Sequence, residues 1–407
     1  MNIAVAQSGG PTCAINASLL GVFRHAAKYE EIKTVFGSVN GIEGLIKDHV
    51  VDLGTIIKED EDVELIRQTP STVLGSCRYK LPDFEKDDSV YKSILHTLKR
   101  HKIGAFFYIG GNDSMDTVDK LHRYFQKNNI DIKVVGIPKT IDNDLPYTDH
   151  TPGFGSAAKY VATTIQEITR DSSVYSIPSV TIVEIMGRDT GWLTASTAVL
   201  RANGEVSPHL IYLPEHKFSV KRFLDDVKEA QQKHYAVIVA ISEGISLDPD
   251  EVGGEFQSGN VDNFGHKYLA GASKALSKIV ADEIGCKVRA IELNVMQRCS
   301  SHISSKRDIT EAERIGGAAV KVALEGGSGV TMVFKRISNR PYNIKIESVE
   351  TSLVANKVKY FPSEWICENG HDVTDDAIEY CLPLIQGEQN LHVRNGLPIQ
   401  FVLKERL

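Results

Sequence analysis

The fold class that the sequence predicts is α/β, with two doubly wound, Rossmann-like domains built on mainly parallel sheets. Strand-like and helix-like segments alternate along most of the chain, as a parallel sheet with crossover helices requires. A chain of 407 residues is too long for one ordinary compact core, so we expect two domains. Polar motifs follow several apolar stretches, and doubly wound sheets bind ligands beyond the carboxyl ends of their strands.

The elements follow one another in a regular order. Apolar runs predict buried strands at 2–6, 104–109, 133–137, 180–185, 235–240 and 288–293. Helical spacing predicts helices at 13–29, 114–128 and 220–233. A stretch rich in Gly, Asp, Asn and Ser predicts a surface loop at 248–265, and the residues after about 350 show no clear pattern.

Composition limits the class of protein. The chain is 42% hydrophobic and 24% charged and has no signal-like or membrane-length apolar run, so we expect a soluble, cytoplasmic protein. A net charge of −7 argues against nucleic acid as a partner. An anionic substrate would instead need locally clustered Arg and Lys, helix N-termini and a divalent cation. Six cysteines without CxxC pairs predict reduced thiols.

Two motifs point to phosphoryl transfer, at residues 110–114 and 138–144. Each follows a predicted strand, and Gly110 and Gly111 allow backbone N–H groups to approach a phosphate closely. The motifs also supply carboxylates for a metal and a proton acceptor, and one fixed cation: Asp113, Asp142, Asp144 and Lys139. Phosphoryl transfer needs mainly positioning and charge neutralisation. Taken singly, the glycines also fit tight strand exits, and the aspartates fit turn or helix-capping residues.

Seven short motifs, in order, carry a family resemblance: 8–10, 75–78, 110–114, 138–144, 186–188, 242–244 and 297–298. From residue 2 to about residue 327 the chain resembles the bacterial type A 6-phosphofructokinases, most of all the pyrophosphate-dependent and mixed-substrate branches. The resemblance implies a donor domain (1–153 plus about 297–350) and a sugar-phosphate domain (154–296 plus about 351–407). It also implies Mg²⁺ and a homodimer or homotetramer.

The resemblance further implies roles for single residues. Those expected at the phosphoryl donor are Gly10, Arg78, Gly111, Asp113 and Lys139. Those expected at the sugar phosphate are Thr140, Asp142, Met186, Gly187, Arg188, Glu243, Val295 and Arg298. Asp142 would accept the proton of the C1 hydroxyl of fructose 6-phosphate, and at an ordinary pKa it would already be ionised. Thr140, Asp144 and Arg188 would complete the catalytic group, with Asp144 supporting the metal or the base.

The identity of the donor depends on two positions. The ATP-using branch carries glycine where this chain has Asp113 and Lys139, and these larger charged side chains would fill the space of a nucleotide. Pyrophosphate is therefore the expected donor, and transfer should be reversible, serving glycolysis and gluconeogenesis. Two alternatives stay open: an ATP-dependent kinase of the same fold, and a non-catalytic protein that binds sugar phosphates or nucleotides.

Three departures from the family pattern bear on the site. Asn112 replaces the expected acidic residue, so Asp113 becomes the expected Mg²⁺ contact. Ser179 lies where ATP-dependent relatives carry an arginine from the neighbouring subunit. Val295 and the pair 299–300 replace other substrate contacts, which suggests altered sugar selectivity, with sedoheptulose 7-phosphate as an alternative acceptor.

Overall fold

The computed structural model describes residues 1–248 and 271–403. The loop predicted at 248–265 lies outside the described residues except for Asp248. Within the described parts of the chain, no helix is both long enough and apolar enough to span a membrane. All six cysteines are free thiols.

A seven-stranded sheet forms the first half of the molecule, in the order β11-β10-β5-β4-β1-β2-β3. Its strands are β1 Asn2–Gln7, β2 Val35–Ser38, β3 Val50–Asp52, β4 Ile103–Gly110, β5 Lys133–Pro138, β10 Val330–Asn339 and β11 Tyr342–Glu350. Strands β2, β1, β4, β5 and β10 are parallel, whereas the two outermost strands, β3 and β11, are antiparallel to their neighbours.

A four-stranded parallel sheet forms the second half, in the order β7-β8-β6-β9. Its strands are β6 Ser179–Ile185, β7 Leu210–Tyr212, β8 Ala236–Ser242 and β9 Lys287–Glu292. A short hairpin near the end of the chain pairs β12 Val393–Arg394 with β13 Leu397–Pro398.

Helices connect the strands of both sheets. They are α1 Ile15–Ala26, α2 Ile42–Ile46, α3 Leu53–Ile56, α4 Asp60–Gln68, α5 Ser89–Arg100, α6 Asn112–Lys127, α7 Phe154–Ser172, α8 Trp192–Ala195, α9 Val220–Lys233, α10 Ala272–Ile284, α11 Met296–Cys299, α12 Lys306–Leu324 and α13 Asp375–Cys381. The six predicted strands and three predicted helices are confirmed, with ends shifted by a few residues at most.

Strand β4 shows why the apolar runs predicted so much of the fold. Phe107 and Ile109 pack into the core on one face of the first sheet, while Phe106 and Tyr108 pack into the core on the other face. Successive side chains of a strand point to opposite faces, so a parallel strand covered on both sides must be apolar throughout.

The end of the chain returns to the first sheet. Phe361 and Tyr380 pack in the core beside the second sheet. Leu403, however, is buried in the core of the first sheet, and the backbone N–H of Phe401 donates to Thr69 Oγ1 at 2.8 Å. The division into domains stays a prediction; it placed residues from about 351 to 407 with the second sheet, whereas Phe401 and Leu403 contact the first half of the molecule.

Helices α1 and α12 approach each other through glycines. A Cβ at Gly316 would lie 2.2 Å from the carbonyl oxygen of Ser18, and one at Gly21 would lie 2.0 Å from that of Glu313. Both distances are far below van der Waals contact, so the two backbones touch only because these side chains are absent.

We predict that Gly316→Ala lowers the free energy of unfolding by roughly 1–3 kcal/mol, because its methyl group would force α1 and α12 apart. Urea unfolding measures this change. Gly317→Ala is the matched control: its Cβ would lie 3.1 Å from the movable His25 ring, and alanine favours the helix. An equal loss in both variants would contradict the close backbone contact as the cause.

Candidate active site

The carboxyl ends of the strands of both sheets surround one pocket of ≈ 730 Å³, the central pocket. Asp113, Lys139 and Asp142 all line it, so the two predicted motifs meet in space. The other predicted site residues that line it are Gly10, Arg78, Gly111, Thr140, Asp144, Met186, Arg188, Glu243, Val295 and Arg298. Gly187 lies directly behind Glu243, to whose Oε1 its N–H donates at 3.3 Å.

The first glycine turn follows β1. Gly9 has a φ of +73°, a conformation that L side chains rarely adopt, whereas Gly10 has no such restriction. The left-handed conformation that favours glycine in this turn therefore occurs at Gly9 and not at Gly10, the residue that was expected at the phosphoryl donor. A Cβ at Gly10 would lie 3.5 Å from Nη1 of Arg298, so Gly10 keeps the pocket open beside that guanidinium.

The second glycine pair begins α6. A Cβ at Gly110 would lie 2.0 Å from Ser114 Oγ, so Gly110 is required by close packing rather than by a phosphate. Gly111 is the N-cap of α6 and lines the central pocket, which leaves the first amides of the helix facing it. In the first turn of α6, the Asp113 carboxylate pairs with Lys80 Nζ at 3.1 Å.

Lys139 is almost completely buried, with 2% of its surface exposed. Its Nζ donates to the carbonyl oxygen of Gly10 at 2.5 Å, and its backbone N–H donates to Gly110 at 2.9 Å. Burial lowers its pKa to about 8, although the nearby Asp142 carboxylate opposes that shift. Lys139 therefore contacts the first glycine turn through its ammonium and the end of β4 through its backbone N–H, at the start of the loop that follows β5.

That loop, residues 139–151, is here called the aspartate loop. Thr140 Oγ1 accepts the backbone N–H of Asp142 at 3.1 Å and donates to its Oδ2 at 3.3 Å. Burial raises the pKa of Asp142, opposed by Thr140, Lys139 and Arg188, so the expectation of an ordinary pKa is wrong. Burial and the neighbouring Asp142 raise the pKa of Asp144 to about 7. Neither aspartate caps a helix.

The second sheet supplies the opposite wall. Gly187 has a φ of +144°, and a Cβ there would lie 2.4 Å from the carbonyl oxygen of Thr190. Burial raises the pKa of Glu243 to about 7, despite the N–H of Gly187 that its carboxylate accepts. Met186 is held through its backbone N–H, which donates to Gln297 Oε1 at 3.2 Å.

Besides Arg78, two further arginines, Arg188 and Arg298, line the pocket. Nε of Arg188 is buried and has no hydrogen-bond partner among residues 1–248 and 271–403. Burial, followed by the charge of Arg78, lowers the pKa of Arg298. Val295, beside it at the start of α11, is 47% exposed.

Sequence reasoning missed several residues around the pocket. Lys80 lies two residues after the 75–78 motif, and Gln297 begins the 297–298 motif; both line the pocket. Thr190, which also lines it, donates through Oγ1 to the Asp142 carbonyl at 3.1 Å. Lys359 lies in the irregular C-terminal region, where no local pattern pointed to it. Trp192, which follows the 186–188 motif closely, packs among aromatic side chains of the core, namely Phe154, Phe361, Trp365 and Tyr380.

The donor end of the pocket is suited to a hydrated cation. Across the described ranges, no group of three or more His, Cys, Asp or Glu side chains could hold a metal ion. Mg²⁺ commonly binds through one or two carboxylates together with substrate phosphates. The single Asp113 carboxylate, facing the pocket beside Lys80, fits that mode of binding.

Comparisons with known proteins agree with this architecture. The phosphofructokinase family model matches residues 2–323. The chain is 36% identical to a pyrophosphate--fructose 6-phosphate 1-phosphotransferase of Halomonas elongata, over 98% of this chain and 94% of that protein. It is 37% identical to the enzyme of the same name from Methylococcus capsulatus, with the same coverage. The crystal structure of a pyrophosphate-dependent phosphofructokinase from Marinobacter aquaeolei superposes with a TM-score of 0.87, at 35% identity, covering 100% of this chain and 97% of that one.

The raised pKa of Glu243 predicts a pH-dependent gain from Glu243→Gln. The folded protein holds the carboxyl proton more tightly than the unfolded chain, so wild-type stability falls as pH rises from about 4.5 towards about 7. Glutamine cannot ionise. The variant should be more stable than wild type by roughly 1–3 kcal/mol near pH 8 and show a smaller difference near pH 5.

Urea unfolding at both pH values measures this effect. Glu283→Gln, at an exposed position of α10, is the control and should change stability little at either pH. A Glu243→Gln protein that is less stable than wild type near pH 8 would show that the ionised carboxylate stabilises the fold instead.

Proposed function

The chain belongs to the phosphofructokinase family, and from that premise we propose that it transfers a phosphoryl group reversibly from pyrophosphate to the C1 hydroxyl of fructose 6-phosphate. The product is fructose 1,6-bisphosphate. One observation carries the proposal: Asp113, Lys139 and Asp142 line a single pocket between the two sheets. The chain is accordingly an enzyme, a phosphotransferase.

Pyrophosphate is bound at the end of the pocket formed by the first sheet. The turn at Gly9 and Gly10 and the first amides of α6 supply N–H groups, and Arg78, Lys80 and Lys139 supply positive charge. Local cations therefore hold an anionic donor although the whole chain carries a net charge of −7.

Mg²⁺ is the proposed cofactor, held by Asp113 together with oxygens of the donor. When bound, it neutralises charge on the pyrophosphate. Lys80, paired with Asp113 at 3.1 Å, is near enough to share this carboxylate.

Asp142 is the proposed general base. Its carboxylate takes the proton from the C1 hydroxyl as that oxygen attacks, and in the reverse direction it returns the proton. Burial raises its pKa, which makes the carboxylate a stronger proton acceptor than an exposed aspartate. Lys139 and Arg188 favour its ionised form, and Thr140 orients it.

The sugar phosphate is bound by residues of the second sheet and α11. Arg298 is proposed to bind the 6-phosphate and Glu243 the sugar hydroxyls. Arg188, which lines the pocket, is proposed to balance the charge that develops on the transferring group. Met186, Gly187 and Val295 shape the wall against which the sugar lies.

Donor selectivity follows from two charged side chains at the donor end. The Asp113 carboxylate repels the α-phosphate of a nucleotide, and the bulk of Lys139 fills space beneath the first turn. The alternative acceptor is sedoheptulose 7-phosphate, which the exposed Val295 favours because it widens the sugar end relative to an aromatic side chain. Homo-oligomerisation and a cytoplasmic location remain predictions.

A panel of donors and acceptors tests this function directly. ATP and pyrophosphate are each combined with fructose 6-phosphate and sedoheptulose 7-phosphate, with and without Mg²⁺. We expect transfer from pyrophosphate to fructose 6-phosphate that depends on Mg²⁺ and runs in reverse with orthophosphate. Activity with ATP but none with pyrophosphate would exclude the proposed donor in favour of an ATP-dependent kinase.

The variant Asp113→Gly, alone or with Lys139→Gly, separates these two donors further. It should raise the ratio of kcat/KM for ATP to that for pyrophosphate by on the order of tenfold or more, because repulsion and bulk are removed. Asp119→Gly places the same substitution on α6 away from the pocket and controls for weakening of the helix. An unchanged ratio would show that Asp113 merely lines a wider pocket.

Asp142→Asn tests catalysis against simple binding. Loss of the base should lower kcat by about 10²-fold or more while leaving the affinity for both ligands nearly intact. Steady-state kinetics and calorimetric titration with fructose 6-phosphate measure the two effects, with the exposed Asp131→Asn as control. An unchanged kcat in Asp142→Asn would contradict the proposed base. If the wild-type protein shows no turnover and Asp142→Asn still binds its ligands, the chain would instead fit a non-catalytic binding protein.

A further inference from the structure

Residues 354–361, here called the strap, connect the C-terminal region to both motifs of the central pocket. The Asn112 side chain binds the strap through two groups: Nδ2 donates to the Lys357 carbonyl at 2.5 Å, and Oδ1 accepts the Asn356 N–H. An aspartate could not donate the first of these bonds. Asn112 therefore has a structural reason to replace the acidic residue expected in this motif.

The backbone of Lys359 continues the strap beneath the aspartate loop. Its N–H donates to the Asp144 carbonyl at 2.7 Å, and its own carbonyl accepts Nε1 of Trp192 at 3.0 Å. The strap is thus tied to the loop that carries Asp142 and Asp144, and to α8 on the other side.

The Lys359 ammonium ties together both ends of the aspartate loop. Nζ donates to Asn143 Oδ1 at 3.2 Å, to the Thr148 carbonyl at 3.1 Å and to the Asp149 carbonyl at 2.9 Å. It also lies 4.9 Å from the ring centre of Trp192. An ammonium has three N–H donors, and here all three go to one loop.

Asn143 shows why this contact matters for the neighbouring Asp142. It is fully buried and has a φ of +54°, a conformation that needs support from its surroundings. Its Oδ1 accepts the N–H of Thr151 as well as the ammonium of Lys359, and its Nδ2 donates to Tyr380 Oη at 2.8 Å.

We propose that Lys359 is a positioning residue for phosphoryl transfer, whose ammonium holds the aspartate loop so that Asp142 faces the acceptor hydroxyl. The expected effect on kcat rests on the proposed function, whereas the expected effect on the mobility of the aspartate loop does not. Among the described residues, Asn356 and Val358 line the central pocket but Lys359 does not, so it acts through the loop rather than on a substrate.

The charge of Lys359 also acts on the loop. Asp149, Asp144 and Arg336 are the charged groups that face it, and burial lowers its pKa to about 7. Asp144 in turn faces Asp142, Lys359 and Asp189, and Lys359 is the cation that opposes the rise of its pKa. Because the charges of Asp142 and Asp144 act on each other, removing this cation should raise the pKa of the pair, so the limb of the kcat profile that rises with pH should move to higher pH.

The test is Lys359→Met, which removes the donors and the charge but keeps an unbranched side chain. We expect kcat to fall by about 10- to 100-fold, the Kd for Mg²⁺-pyrophosphate to change less than about threefold, and the rising pH limb to shift upward. Lys359→Arg keeps the charge and should return the limb towards its wild-type position. Lys357→Met, an exposed lysine side chain on the same strap, should behave as wild type.

Hydrogen exchange of residues 139–151 in the ligand-free protein gives a readout that does not need turnover. Faster exchange in Lys359→Met than in Lys357→Met supports positioning even if wild type uses another donor, which separates this inference from the proposed function. The inference would be overturned if residues 139–151 of Lys359→Met exchanged at the wild-type rate and kcat were unchanged. It would also be overturned if Lys359→Met lost kcat and pyrophosphate affinity to the same extent and Lys359→Arg restored neither. If Lys359→Met does not fold, Lys359→Gln, which keeps N–H donors without charge, decides by the same measurements.

Discussion

A single buried residue, Lys139, connects the three segments from which the site is built. Lys139 donates to the first glycine turn through Nζ and to the end of β4 through its backbone N–H, and it begins the aspartate loop. Such a charge is stable in the interior only if polar groups satisfy it, and here they are a carbonyl oxygen and nearby carboxylates. The positions of the donor end and of the proposed base are therefore coupled through one side chain.

The same burial sets the protonation of the site. Burial raises the pKa of Asp142, raises those of Asp144 and Glu243 to about 7, and lowers that of Lys139 to about 8. Desolvation penalises every charged form, and each group is stabilised only by its neighbours. A reversible transfer needs a base that returns its proton readily, and this environment suits that requirement.

The C-terminal region completes the site from behind. Asn112 and Lys359 bind the strap to the two motifs, although the strap follows them by more than two hundred residues of chain. Strand β10 and helix α12 likewise return to the first sheet after the second is complete. The pocket is thus enclosed by segments from both ends of the sequence, which limits how far the aspartate loop can move.

The sequence by itself determined the α/β class, six strands, three helices and the order of the motifs, because apolar runs and helical spacing are local properties of the chain. The family was likewise readable from the ordered motifs. Only the tertiary structure decided that Gly9 rather than Gly10 has the left-handed conformation, that Asp142 is buried enough to raise its pKa, and that Leu403 returns to the first core. It also revealed Lys359. These features depend on contacts between residues far apart in the chain and on exclusion of water, neither of which leaves a local pattern in the sequence.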